Sequence, residues 1–139
     1  MRRVWDLQTG QCVHVLAGHT GRLNRVRVAP SAPVAVTVAD DFSARVWDWP
    51  AGRCLHVLAG HRGWVSDAAL AAGGGAGVTA SGDELAIVWN LARGTAVNVL
   101  AGHAGEVRSV VLTRRGRCVL PTAFCVVRGG KLFVFWSLE

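Results

Sequence analysis

The pentapeptide Val-Leu-Ala-Gly-His occurs three times, at Val15–His19, Val57–His61 and Val99–His103, each copy 42 residues after the last. Tryptophan keeps the same step at Trp5, Trp47 and Trp89, and glycine at Gly10, Gly52 and Gly94. Cys12 and Cys54, His14 and His56, Thr37 and Thr79, and Asp41 and Asp83 are further pairs in the same register. A period of this length marks one supersecondary unit, repeated, that cannot bury its own apolar face. Each unit must find its core against its neighbours, so the chain is an array and not a single wrapped domain.

The chemistry inside each unit is that of strands. Val34–Val38 reads VAVTV, β-branched and apolar toward both faces, as in a strand covered from both sides. In Leu23–Val28 the apolar Leu23, Val26 and Val28 alternate with Asn24, Arg25 and Arg27. The one irregular step is of the kind a bulge absorbs. Pro30 and Pro33 make the segment between these strands a turn, because proline fixes φ and donates nothing to a ladder. The equivalent turn in the next unit is Ala72–Gly75. Ser43–Trp47 and Cys54–Leu58 supply a third and a fourth strand around Gly52. Four short strands in a unit of about 40–45 residues predict the blade of a β-propeller.

These residues resemble those of WD40-repeat proteins over nearly the whole chain. The GH dipeptides are Gly18–His19, Gly60–His61 and Gly102–His103; the closing WD dipeptides are Trp5–Asp6 and Trp47–Asp48, with Trp89–Asn90 a near match. The resemblance implies a buried hydrogen-bonded set in each full blade. The first is His19, Thr37, Asp41 and Trp47, and the second His61, Thr79, Asp83 and Trp89. An imidazole between a hydroxyl and a carboxylate satisfies all three groups away from water. A hydroxyl, a base and an acid also suggest nucleophilic catalysis. Two copies at the repeat period assign the set to the scaffold instead.

The third unit starts in register with the strand Val107–Leu112 and then drifts. Lys131 stands where tryptophan is due, and Trp136 comes five residues late, closing the strand-like Leu132–Trp136. Thr122 is a loose match for the second-strand hydroxyl, and the turn Arg128–Gly130 has no aspartate. The start, Arg3–Asp6, has the form of Arg45–Asp48, so the chain is expected to open within the third strand of a blade. The expected architecture is therefore all-β, a partial WD40 propeller of four-stranded antiparallel blades. It comprises a partial blade at 1–21, blades at 22–59 and 60–101, and a degenerate incomplete blade at 102–139. Closed propellers need about 4–8 blades. The chain reads as a fragment of a longer WD40 protein, or else as one that self-associates to complete a ring by strand exchange.

Composition narrows the functional classes. With 51% hydrophobic and 17% charged residues the chain is too apolar for a disordered tail. The uncharged stretches, Ala68–Gly82 and Cys118–Val127 among them, fall short of the roughly 20 apolar residues of a spanning helix, and no secretory leader is visible. Four cysteines without a CxxC pair suggest free thiols in the cytoplasm, with the nucleus as the other reducing compartment. No GxxxxGK[ST], HExxH or GxSxG motif is present, so a non-catalytic role is expected, with no metal and no other cofactor. His14 and His56 read as recurring strand positions, with Asn98 in the third unit. No arginine completes a WDxR motif of the kind ubiquitin-ligase receptors carry.

The expected function is a protein-interaction scaffold that binds proteins or peptides. In the family, partner contacts come from residues three and five beyond the GH histidine and from the residue before the turn aspartate. Here these are Arg22, Asn24, Trp64, Ser66, Glu106 and Arg108, with Asp40 and Gly82 at the turns. Trp64 is the strongest candidate, since aromatic and arginine side chains dominate interface energetics. The alternative is nucleic-acid or anionic-lipid binding. The net charge is +6, and the last third holds Arg108, Arg114, Arg115, Arg117, Arg128 and Lys131 against only Glu106 and Glu139. No aromatics interleave with these arginines as they do in single-strand binders, which ranks nucleic acid lower.

Overall fold

In the computed structural model the chain is all-β, and among the described residues there is no helix. The structure describes residues 2–114, 122–128 and 131–136, with side chains through Leu112. β1 (Arg2–Trp5) and β2 (Cys12–Leu16) form a two-stranded sheet. β3 (Leu23–Val28), β4 (Val34–Ala39), β5 (Ser43–Asp48) and β6 (Arg53–Ala59) form a four-stranded sheet in that order. β7 (Val65–Leu70), β8 (Ala76–Ser81), β9 (Ala86–Asn90) and β10 (Thr95–Leu100) repeat it. β11 (Ser109–Arg114), β12 (Thr122–Arg128) and β13 (Lys131–Trp136) make a three-stranded sheet. Every pairing is antiparallel between strands consecutive in sequence. The sheets are the blades of a partial propeller, and the inner strands β3, β7 and β11 lie against one another.

The irregular step in Leu23–Val28 is a bulge between Leu23 and Arg25, and the same break recurs between Val65 and Asp67. A bulge re-aims the side chain it carries. Here it turns Asn24 and Ser66 toward the following blade, where the Asn24 amide donates to the Val65 carbonyl (2.9 Å) and the Ser66 hydroxyl to the Val107 carbonyl (2.6 Å). Donors and acceptors step together by one repeat. Gly52 and Gly94, in the turns after β5 and β9, have φ of 70° and 69°, and a Cβ at either would strike the ring of His14 or His56. Only glycine suits both the left-handed backbone and that close approach. His14 and His56 in turn bond the Pro50 and Ala92 carbonyls at 2.7 and 3.0 Å, tying each outer strand to the next blade's turn.

The core lies between sheets and not within them. Val36, Val38, Val46 and Leu58 of one blade pack on Val65, Ala68, Ile87 and Trp89 of the next. A second cluster joins Val78, Ala80 and Ala86 to Val107 and Val110, and a third joins Leu16 to Ala35 and Trp47. β4 and β8 are buried on both faces, which explains their unbroken apolar runs. Outer-strand residues Val13, Leu55, Val57 and Val97 stay exposed.

Two expectations for the third unit need correction. Its first strand begins at Ser109; Val107 precedes it, buried, with its N–H on the Ser81 carbonyl (3.0 Å) as a contact between blades. Thr122 opens β12 opposite Arg114, far from the place where Thr79 faces Ala68 in the preceding blade. The place opposite Val110, the counterpart of Ala68, belongs to Val126. The five residues by which Trp136 lags shift the second strand as well. The side chains of Thr122 and Trp136, and the turn at Gly129 and Gly130, lie outside the described residues.

Candidate functional site

The four residues of each set meet inside their blade. His19 Nδ1 lies 2.8 Å from Asp41 Oδ2 and its Nε2 2.8 Å from Thr37 Oγ1, while the Trp47 indole N–H donates to the same Oγ1 at 2.8 Å. In the next blade His61 lies 2.9 Å from Asp83 and 2.7 Å from Thr79, and Trp89 donates to Thr79 at 2.8 Å. A neutral imidazole with its proton on Nδ1 satisfies every member. The indole donates to the hydroxyl, the hydroxyl to Nε2, and Nδ1–H to the carboxylate. Each aspartate also collects backbone donors: Thr20 and Ser43 on Asp41, Arg62 and Leu85 on Asp83. These bonds hold Phe42 and Glu84 at φ of 67° and 70°, a left-handed turn conformation that non-glycine residues rarely adopt. Thr37 and Thr79 are sealed from solvent, so neither hydroxyl can reach a substrate.

Burial disfavours the His61 imidazolium more than Asp83 stabilises it, and the His61 pKa falls below its ordinary 6.5. Burial pushes the aspartates upward, but hydrogen bonds prevail. The Arg62 N–H and His61 hold Asp83 below the ordinary 3.8; the Ser43 hydroxyl, His19 and two backbone N–H groups hold Asp41 well below it. The signs agree. A lowered histidine contributes stability above pH 6.5 that drains away as pH falls toward its folded value. Lowered carboxyls contribute stability above 3.8 that is lost as pH falls through their folded values.

The sequence reading missed Asp67. It is 2% exposed on the inner strand β7 and joins three blades. Its Oδ1 accepts from Arg27 Nη2 of β3 (2.9 Å); its Oδ2 accepts from the Ser109 hydroxyl (2.9 Å) and the Val110 N–H (3.3 Å) of β11. The Ala68 N–H adds a further bond to Oδ1 at 2.9 Å. In sequence Asp67 sits beside the polar Ser66 on a short strand and reads as a solvent-facing acid.

Five of the eight candidate contact residues line one open cleft of roughly 440 Å³: Asn24, Trp64, Ser66, Glu106 and Arg108. Arg25, which the sequence reading left out, is the sixth wall. Three successive repeats contribute to it. Trp64 lays its ring over Gly82, where any Cβ would collide with it, yet remains 42% exposed. Asp40 stands beside the cleft and accepts from the Asn24 amide at 2.7 Å. Arg22 is exposed outside the lining, its carbonyl taking the Asp40 N–H. Of the basic residues expected to bind nucleic acid, Arg108 is in the cleft; the side chains of Arg114, Arg115, Arg117, Arg128 and Lys131 lie outside the described residues. Among the described residues no three His, Cys, Asp or Glu side chains gather as metal ligands, and no helix is long and apolar enough to cross a membrane.

Antiparallel blades, stacked face to face and pinned by these polar sets, define a propeller-repeat protein. The family model described as WD40, "WD domain, G-beta repeat", matches residues 10–48 and 52–90, more than half of the chain, and the chain belongs to that family. No curated protein matches the chain. WD40 repeats generally serve as protein-interaction scaffolds and are typically not enzymes.

Thr79→Val removes the hydroxyl that serves both His61 and Trp89. It should cost about 1–3 kcal/mol in chemical denaturation, the scale for a buried polar group left unpaired. The wild-type unfolding free energy should fall as pH drops from neutrality to about 5, as protonation of unfolded His61 requires. A His61→Gln chain, less stable throughout, should lose much of that slope. A flat wild-type profile over this range would show that His61 titrates alike in both states.

Proposed function

We propose that this chain is a non-catalytic recognition module that binds a protein or peptide segment in the cleft at Trp64. The supporting observation is convergence: residues from three consecutive repeats meet at one opening on inner-strand ends held rigid by Asp67. Each polar set fixes the turn beside it, so the face is preorganised, which lowers the entropic cost of binding. Cys12 and Cys54 are exposed free thiols, in keeping with a reducing compartment such as the cytosol.

A second reading, self-association, is favoured by one observation. An apolar groove of roughly 360 Å³ lies between β1–β2 and β3–β4, lined by Val4, Leu16, Val26, Val28, Ala35 and Trp49. Ala68, the counterpart of Val26 in the next blade, is covered by its neighbour, whereas Val26 is 44% exposed. Arg2 and Arg3 border the same groove. Light scattering should report a discrete dimer if a second copy fills it; a monomer at micromolar concentration discards this reading.

For the primary reading, the chain is used to select from a displayed library of random linear peptides. Trp64→Ala should weaken a selected peptide at least about 30-fold, the loss expected of an interfacial tryptophan anchor, with its thermal midpoint close to wild type. Unchanged affinity removes the cleft from consideration.

A further inference from the structure

We infer that the segment this cleft accepts is acidic: a linear peptide placing a carboxylate side chain next to an apolar one. The inference rests on the reading of the cleft as the interaction surface and adds the chemistry of the partner.

Asp67 sets the charge of the cleft. Four donors already occupy that carboxylate: Arg27, the Ala68 N–H, the Ser109 hydroxyl and the Val110 N–H. Arg25 Nε stands 3.9 Å from Oδ1, close enough to be drawn in but beyond hydrogen-bonding reach, and its side chain is 60% exposed. Asp67 thus orients the Arg25 guanidinium without consuming its donors. Across the cleft, Arg108 is 78% exposed and pairs with the rim carboxylate Glu106, at 3.2 Å. A surface pair of that kind contributes little and gives way readily to a better partner. A guanidinium fork receives a carboxylate through two parallel hydrogen bonds, and two such forks lie in one opening.

The remaining walls suit a peptide. Both amide hydrogens of Asn24 are spent, on Asp40 and on the Val65 carbonyl, so its carbonyl oxygen is left to accept a peptide N–H. The exposed part of Trp64 offers an apolar surface beside the charges. A nucleic acid fits less well. Glu106 in the lining and Asp40 beside it oppose a run of phosphates, and among the described residues Trp64 is the one aromatic in the lining where single strands need successive stacking platforms.

The same library selection, read for composition, tests the inference. The enriched peptides should carry Asp or Glu adjacent to Leu, Ile, Phe or Trp. For a synthetic enriched peptide, replacing its acids by their amides should weaken binding about tenfold or more, as should Arg25→Gln or Arg108→Gln in the chain. Both arginines are largely exposed, and circular dichroism should match wild type. Neutral or basic winners overturn the acidic assignment. So do winners indifferent to both arginine variants yet lost on Trp64→Ala; the cleft itself then stands. Indifference to Trp64→Ala as well, or no enrichment at all, overturns the cleft reading with it. A mixed-sequence single-stranded oligonucleotide that displaces the peptides at physiological salt through the same arginines overturns the inference in favour of nucleic acid.

Discussion

Among the described residues, the blades bury their apolar faces against one another and not within themselves. The side chains that seal β4 and β5 come from β7 and β9 of the next sheet, and the indole of Trp89 and the methyls of Val38 belong to one cluster. Everything else depends on that stacking. The family repeat reflects it, because residues 10–48 run from β2 of one sheet through β5 of the next, and 52–90 do the same one step on. The unit of sequence straddles two units of structure, so each repeat carries a piece of its neighbour's blade.

Polar groups set the register that the apolar contacts leave free. Hydrophobic packing is indifferent to small slips between sheets, whereas hydrogen bonds with fixed partners are not. The bonds from Asn24 to Val65 and from Ser66 to Val107 advance by the same 42-residue step as the sequence. Asp67 holds the centre with partners on both flanking blades. One position later than Asn24 and Ser66, the inner strands carry Arg25, Asp67 and Ser109 at equivalent places. One backbone slot thus serves as exposed cation, buried anion and hydroxyl in turn. The cleft inherits its charge from this asymmetry: the scaffold repeats, and the recognition surface departs from the repeat.

What the sequence disclosed follows the same division. The sets around Thr37 and Thr79 were legible because their members recur at one period, and the bulge at Asn24 was legible as a broken alternation. Asp67 was not, because its partners Arg27 and Ser109 lie 40 and 42 residues away and have no repeated counterparts. On its own strand it reads as an ordinary solvent-facing acid. Arg25 was passed over for the same reason: it alternates with apolar residues like any exposed strand residue, and only the closure of three blades brings it beside Trp64 and Arg108. In the third unit the lag before Trp136 displaced the second strand, and the nearest hydroxyl to the repeat position, Thr122, was a loose match where pairing with Val110 selects Val126.

The blades form one cooperative unit joined through the inner strands. Native-state hydrogen exchange on the wild type and on Asp67→Ala tests it most directly. The slowest amides of β4 and β8 should share one opening free energy, and Asp67→Ala should lower both together by about 1–3 kcal/mol, the scale for leaving buried hydrogen-bond donors unpaired. Loss of protection in β8 with β4 unchanged would show blades that open independently and would contradict the account.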